Sequence, residues 1–94
     1  MRDYEFVVVV SPQVPDESVP AVLERFTKFI ADRGGTVGNV NRWGRRKLAY
    51  KIKQFKDGNY VQADFKLDPK HLHDLEEGLR ISEDVIRHIV IKKE

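Results

Sequence analysis

The segment YVQADFKL, residues Tyr60–Leu67, has the pattern that decides the fold. Successive side chains of a β-strand point to opposite faces of the sheet. Such an alternation of apolar and polar residues is typical of a sheet that packs on a hydrophobic core through one face only. One face of this strand would carry Val61, Ala63, Phe65 and Leu67, and the other would carry Tyr60, Gln62, Asp64 and Lys66.

Apolar periodicity predicts three more strands and two helices around this segment. Val and aromatic residues dominate the first strand, which Ser11-Pro12 stops. Gly34-Gly35 ends the first helix, because glycine enters the left-handed cap conformation without steric cost. The predicted elements are strands at Tyr4–Val10, about Thr36–Lys53 and Val85–Lys92, a helix from Asp16–Ser18 to about Arg33, and a second helix that follows Asp68-Pro69 and carries Leu72, Leu75 and Leu79.

Turn-forming and capping residues set the expected boundaries of these elements. Asp57–Asn59 is a turn signal, so the extended segment before it and Tyr60–Leu67 should form an antiparallel hairpin. Gly44, inside the extended segment, indicates a bulge or bend. Asp16–Ser18 and Asp68 are expected to supply capping side chains at the starts of the two helices.

The element order strand, helix, strand, strand, helix, strand indicates an α+β fold. Two helices can cover only one face of a four-stranded antiparallel sheet. Residues 1–94 are therefore expected to form a single domain, the ferredoxin-like split βαβ (βαββαβ) two-layer sandwich. Right-handed crossovers place the first and third strands in the middle of the sheet. The face away from the helices then stays open.

The open face of the predicted sheet carries an apolar patch. In the first strand, Val7 and Val9 point to the face opposite to Phe6. In the last strand, Ile89 and Ile91 point to the face opposite to Val90. An exposed apolar patch bordered by cations suggests a docking surface. The alternative is that these side chains only fill irregular packing at the ends of the sheet.

Positive charge is concentrated in one short segment. The formal net charge is only +2, from 17 Lys and Arg against 15 Asp and Glu. The segment Arg42–Lys56 nevertheless contains seven basic residues and no acidic one, so the rest of the chain carries −5. Such a segment favours a surface that contacts nucleic-acid phosphates. The alternative is a solvated edge strand whose lysines protect it from aggregation.

The remaining residues argue against catalysis, a metal site and a cofactor. His71 and His73 are two residues apart on the second predicted helix, so their side chains diverge and do not share one ion. His88 has no nucleophile paired with it. Cysteine is absent, and the longest apolar run, Phe6–Val10, is too short to span a membrane. We expect no enzyme activity, no small-molecule substrate, no cofactor and no membrane partner.

Four segments resemble one family of proteins. The block Trp43–Tyr50, WGRRKLAY, closely resembles the S-six family of bacterial small-subunit ribosomal proteins, and Met1–Glu5, Gly58–Tyr60 and Leu79–Arg87 resemble it too. The resemblance covers essentially the whole chain. It implies a ferredoxin-like fold, a cytoplasmic location on the ribosome and a structural role without catalysis. It also implies binding to the central domain of small-subunit ribosomal RNA, with the neighbouring ribosomal protein S-eighteen as heterodimer partner.

The resemblance and the charge pattern together nominate residues that contact RNA or the partner protein. Lys51 stands where members of the family often have proline, so the path of the second strand is left open there. The division of these residues between RNA and protein is also left open. The matching block contributes Trp43, Arg45, Arg46, Lys47 and Tyr50, further candidates are Arg2, Tyr4 and Arg87, and the cation-rich hairpin adds Arg42, Lys51, Lys53, Lys56 and Tyr60.

A regulatory domain that binds a small metabolite is the alternative function. Such domains use the same fold as a symmetric dimer, with ligands at the interface between the two copies. They have no need of seven cations within fifteen residues. The basic hairpin therefore favours RNA.

Overall fold

The computed structural model describes residues 1–93, so Glu94, the last residue of the predicted domain, lies outside the described residues. Its elements are β1 (Arg2–Val10), α1 (Val19–Asp32), β2 (Thr36–Ile52), β3 (Phe55–Leu67), α2 (Leu72–Ile81) and β4 (Val85–Lys93). Single 3₁₀ turns at Asp16–Ser18 and Pro69–His71 lead into the two helices. Within residues 1–93, neither helix is long and apolar enough to cross a lipid bilayer.

The four strands form one antiparallel sheet in the order β2-β3-β1-β4. β1 pairs with β3 over its whole length, from Arg2 opposite Leu67 to Val10 opposite Asn59. The central position predicted for the first and third strands is confirmed. The ferredoxin-like two-layer sandwich is confirmed with it.

The hydrophobic core lies between the helices and the sheet face that β3 presents through its alternating residues. The four apolar residues of YVQADFKL are each at most 2% exposed, which confirms the alternation read from the sequence. Full burial of a Val, Leu or Phe side chain contributes roughly 1.5–3 kcal/mol to the stability of the fold. These residues pack with Phe6, Val8, Val10, Val22, Leu23, Phe26, Ile30, Leu75 and Leu79 of β1 and the two helices.

Tyr4 also belongs to this core. Its ring stacks on Phe65 with the centroids 5.4 Å apart, and only 4% of the residue is exposed. Tyr4 has the same parity as Phe6, and this parity turns its side chain toward the helices. The nomination of Tyr4 as a contact residue is therefore wrong.

The glycine cap predicted for the first helix is present at the end of α1. Gly34 has φ +81°, and its N–H donates to the carbonyl of Ala31 at 3.0 Å. The N–H of Gly35 donates to the carbonyl of Ile30 at 2.8 Å, which completes a Schellman motif. Gly35 also lies against β3, because a Cβ built on it would collide with the carbonyl oxygen of Lys66. Only glycine fits at this position.

The two helix starts differ in their capping. Asp68 accepts a hydrogen bond from the N–H of Lys70 at 3.1 Å, as predicted, and this bond lowers the pKa of its carboxyl. Ser18 precedes α1, but its side chain makes no capping hydrogen bond. Asp16 instead accepts a hydrogen bond from Nδ2 of Asn59 at 3.3 Å. The capping role predicted at this end of α1 is wrong, because Asp16 joins the preceding loop to the sheet.

The hairpin between β2 and β3 turns at a different place from the one predicted. Lys53 and Gln54 form a two-residue loop with φ +49° and +71°. Two consecutive left-handed residues match the right-handed twist of the paired strands. The predicted turn at Asp57–Asn59 lies inside β3 and is wrong. Gly58 serves close packing instead, since a Cβ on it would lie 2.5 Å from Cγ1 of Val9.

Gly35→Ala should lower the free energy of unfolding by about 1–3 kcal/mol, because the added methyl group must displace the backbone of β3. Gly38→Ala is the matched control. Its Cβ would lie 3.5 Å from the carbonyl oxygen of Asp64, an ordinary van der Waals distance, so stability should change by less than about 1 kcal/mol. Urea unfolding followed by circular dichroism measures both variants. Equal stability of the two would contradict the close approach of Gly35 to β3.

Candidate nucleic-acid and protein interface

The sheet face away from the helices, which we name the open face, is partly apolar. Ile89 and Ile91 of β4 are 42% and 45% exposed. Val7 of β1 pairs with Ile89 and is half-buried. A shallow pocket on this face is lined by Val7, Ile89, Tyr60 and Arg87. The predicted apolar patch is confirmed at Val7, Ile89 and Ile91.

Val9 lies on the open face but is only 2% exposed. Val9 and Ile86 both cover the backbone of Gly58, where a Cβ would lie 2.5 Å from Cγ1 of Val9 and 3.5 Å from Cδ1 of Ile86. Ile86 is itself 5% exposed. The exposure predicted for Val9 is therefore wrong, because Val9 and Ile86 form a small apolar cluster of their own.

Trp43 stacks on Tyr60 at the open face. The ring centroids are 6.2 Å apart and the ring planes differ by 11°. Arg42 pairs with Val61 and Gly44 pairs with Tyr60, so Trp43 is the extra residue of a bulge in which Gly44 has φ +84°. The predicted bulge at Gly44 is confirmed. Because Trp43 is 44% exposed, much of its ring is available to a partner.

Two arginines lie beside exposed aromatic rings. The guanidinium carbon of Arg46 is 5.8 Å from the ring centroid of Trp43, and that of Arg87 is 6.0 Å from the ring centroid of Tyr50. Nη1 of Arg87 also donates to the hydroxyl of Tyr50 at 3.2 Å. Exposed cation–π contacts contribute about 0.5–1 kcal/mol each. These contacts bring four of the nominated residues together around the open face.

Arg42 and Arg45 lie on the helix side of β2 and are already paired. Nη2 of Arg45 is 3.6 Å from Oδ1 of Asp16, and Nη1 is 3.5 Å from Oδ1 of Asp57. Nη2 of Arg42 donates to the carbonyl oxygen of Asp16 at 3.3 Å. These two arginines therefore attach the hairpin to the loop before α1, while Arg46 lies on the other side of the strand.

The β2–β3 hairpin extends beyond the rest of the sheet. The pairing of β1 with β3 ends at Asn59, whereas β2 and β3 continue to the pair formed by Ile52 and Phe55. We name residues 47–57 the ribbon. Within residues 1–93, none of its lysines forms an ion pair with a carboxylate, and all are exposed: Lys47, Lys51, Lys53 and Lys56. The ribbon thus concentrates unpaired positive charge at one end of the molecule.

Gln62 is the centre of a polar cluster on the open face. Its Nε2 donates to Glu5 at 2.7 Å and to Asp64 at 3.0 Å, and its Oε1 accepts from Asn41 at 2.7 Å. Nζ of Lys93 donates to Asp64 at 3.0 Å, and this hydrogen bond raises the pKa of the Lys93 ammonium. The two carboxylates make this part of the open face unfavourable for RNA phosphates. The cluster becomes visible only once the strand register is known.

Arg2 lies away from the other nominated residues. It pairs with Leu67 at the end of β1 opposite to the ribbon, and it is exposed. The structure thus brings Trp43, Tyr50, Tyr60, Arg46 and Arg87 to the open face and the lysines to the ribbon, places Arg42 and Arg45 on the helix side of β2, and leaves Arg2 and the buried Tyr4 outside these groups. Residues 1–93 contain no cluster of His, Asp and Glu placed to hold a metal ion.

The amino-acid sequence matches a known family over nearly its whole length. The model of the family described as "Ribosomal protein S6" covers residues 3–92. The chain belongs to this family. Small ribosomal subunit protein bS6 of Moorella thermoacetica is 42% identical over 94 residues, which cover 100% of this chain and 96% of that protein. The Dehalococcoides mccartyi protein of the same name is 45% identical over 91 residues, which cover 97% of this chain and 84% of that protein.

A solved structure of the S-six family has the same fold. The crystal structure of 30S ribosomal protein S6 from Thermotoga maritima gives a TM-score of 0.91 at 35% identity, over 98% of this chain and 87% of that chain. The resemblance noted in the sequence is confirmed. As a member of the S-six family, the chain is a structural component of the small ribosomal subunit in the bacterial cytoplasm, associates with ribosomal RNA and is not an enzyme.

Trp43 and Tyr60 should be energetically coupled. A double-mutant cycle with Trp43→Ala and Tyr60→Ala should give a coupling energy of about 0.5–1.5 kcal/mol, as expected for stacked aromatic rings. Urea unfolding of the four proteins measures it. Phe29→Ala, on α1, is the control partner for Trp43→Ala, and those two effects should add within about 0.5 kcal/mol. Additive effects of Trp43 and Tyr60 would contradict the stacked geometry.

Proposed function

We propose that the chain binds the central domain of small-subunit ribosomal RNA together with ribosomal protein S-eighteen. One observation carries this proposal: the aromatic and apolar open face and the lysine-rich ribbon are two chemically different surfaces on one domain. Apolar surface suits a protein partner, and unpaired cations suit phosphates. One small domain can then contact RNA and protein at the same time.

The ribbon is the proposed contact with RNA. Its four lysines are exposed and form no ion pair with the carboxylates of residues 1–93, so their charge is available to phosphates. An ammonium group at the end of a flexible stem contacts phosphate as a point charge and does not read bases. The ribbon is therefore expected to contribute affinity and orientation, with little dependence on base sequence.

Arg42 and Arg45 are expected to contribute less than the ribbon to phosphate binding. Arg45 lies within 3.6 Å of two carboxylates, and contact with a phosphate would have to compete with both. Their role in the proposed complex is to hold the base of the hairpin on the loop at Asp16.

The aromatic and apolar part of the open face is the proposed contact with S-eighteen. Trp43 and Arg46 lie together beside Tyr60, and Ile89 and Val7 continue the surface toward β4. Tryptophan, tyrosine and arginine are the residues that most often dominate the free energy of protein interfaces. The exposed part of the Trp43 ring would become buried in this complex.

The alternative of a metabolite-binding dimer has less in its favour. Membership of the S-six family favours the ribosome. The unpaired lysines of the ribbon favour an anionic polymer over a small ligand at an interface between two copies. We therefore retain only the ribosomal proposal.

Binding to a central-domain RNA fragment in the presence of S-eighteen should weaken as salt rises. If about four cations meet phosphates, the slope of log K against log salt concentration should be roughly −3 to −4. Lys51→Ala with Lys56→Ala should make this slope shallower by about 2. Filter binding at several salt concentrations measures it. Lys28→Ala with Lys70→Ala, two exposed lysines outside the ribbon, is the charge-matched control and should leave the slope unchanged. Equal slopes for both double variants would refute the ribbon contact.

Ile89→Asp should weaken binding to S-eighteen at least about tenfold, because a carboxylate at this position would lose its hydration in an apolar contact. The melting temperature should change little, since Ile89 is 42% exposed. Ile81→Asp is the control, since Ile81 is 72% exposed on α2, away from the open face. Isothermal titration calorimetry and thermal unfolding measure the two effects. The same loss of affinity in both variants would argue against the open face as the contact.

A further inference from the structure

A groove runs between α1 and α2, in the helix layer opposite to the open face. Its volume is about 580 Å³. Phe26 and Leu75 are buried in its lining, and Gly78 of α2 contributes no side chain there. Ile81 also lines the groove and is 72% exposed, although it is a large aliphatic residue. The groove is therefore apolar inside and reaches the solvent.

Acidic residues surround this groove. Asp74, Glu83 and Asp84 line it against one cation, Arg25, whose Nη2 lies 2.7 Å from Oδ2 of Asp84. The wider surroundings have the same sign, because residues 16–33 and 68–84 contain ten Asp and Glu and five Lys and Arg. The two helices and the loops beside them thus carry −5 in a protein whose net charge is +2, and α1 and α2 alone carry −2. A surface of this sign repels RNA phosphates and attracts cations.

Ser82 provides a polar point in the lining of the groove. Its Oγ is buried and has no hydrogen-bond partner within residues 1–93. This oxygen lies beneath the surface of the groove, so contacts within the groove depend on the apolar lining and the carboxylates.

We propose that the groove binds a cationic, amphipathic segment of another protein. One large apolar side chain of that segment lies against Phe26, Leu75 and Gly78, and its Lys or Arg side chains pair with the carboxylates of Asp74 and Glu83. The negative charge around the groove repels RNA phosphates. Because the lining is also apolar, it favours a segment with an apolar side chain over a simple cation. A symmetric dimer with helix layer against helix layer is disfavoured, because two surfaces of the same charge would face each other. This proposal does not depend on the ribbon being the contact with RNA or on the open face being the contact with S-eighteen.

Two-dimensional NMR of the ¹⁵N-labelled protein tests this surface with the synthetic peptide KLLKKLLKKLLK. The amide signals of Gly78 and Ile81 should shift on binding, and the indole N–H of Trp43 on the open face should not. The same peptide with serine in place of every leucine should bind at least about tenfold more weakly, because it has no apolar anchor. Absence of binding, equal binding of the two peptides, or a shift confined to Trp43 would overturn the proposal.

Gly78→Leu should fill the groove and weaken binding of the leucine peptide at least about tenfold. A Cβ at Gly78 would lie 3.9 Å from Cε1 of Phe26, an ordinary contact that the fold accommodates. His73→Leu is the matched control, because His73 is exposed on α2 and does not line the groove. It should bind the peptide as the wild type does. Equal affinity of the two variants would contradict the proposed site.

Two further measurements complete this test. The double variant Asp74→Lys with Glu83→Lys changes the charge around the groove without filling it. It should also weaken binding of the leucine peptide at least about tenfold. Unchanged affinity in this variant would overturn the proposed charge pairing. Sedimentation equilibrium distinguishes a second copy of the chain as the occupant. A dimer that Gly78→Leu dissociates and the peptide does not would assign the groove to self-association and overturn the proposal.

Discussion

Burial of one face of β3 is the constraint on which the other surfaces of this domain depend. Because the apolar residues of YVQADFKL must face the helices, Tyr60 and Gln62 must face the other way. The bulge at Gly44 then changes the parity of β2 relative to β3. It places Trp43 over Tyr60 and leaves Arg45 on the helix side, beside Asp16. One extra residue in the strand thus puts Arg42 and Arg45, three positions apart, on the same side of the sheet.

The two layers of the sandwich have different chemical characters as a result. The open face carries aromatic and apolar side chains near β4 and a carboxylate cluster around Gln62. The helix layer carries an excess of carboxylates, and the ribbon carries unpaired lysines. Each surface therefore suits a different class of partner, and a small domain with one core can serve an assembly in which several components meet.

Much of the fold followed from the sequence because it depends on local periodicity and on glycine. The alternation in β3, the Gly34 cap and the bulge at Gly44 each have a local signature, and the structure contains all three. The hairpin turn at Lys53 and Gln54 has no such signature, since neither residue is Gly, Asn or Asp. The glycine at Gly58 indicated a turn there, although the residue serves close packing with Val9.

The candidate site was predicted less completely, for reasons of long-range geometry. The family resemblance and the charge pattern together nominated Trp43, Arg46 and the ribbon lysines. They could not show that Arg45 is held between two carboxylates, or that Tyr4 stacks in the core. The cluster around Gln62 joins all four strands, so it depends on a register that no local pattern encodes.

The length of the ribbon also has a consequence for its local stability. From Asn59, where the pairing with β1 ends, β3 continues for four residues to Phe55, so at roughly 3.3 Å per residue the ribbon reaches up to about 13 Å beyond the strands that support the core. A two-stranded hairpin by itself is marginally stable in water. Outside its own strand pairing, the contact between Tyr50 and Arg87 attaches the ribbon to β4. Its amides should therefore exchange with solvent through local opening, while those of β1 require global unfolding. Binding of a ligand to the ribbon must then order the ribbon, and the conformational entropy lost in this step lowers the affinity even though the contacts stay the same.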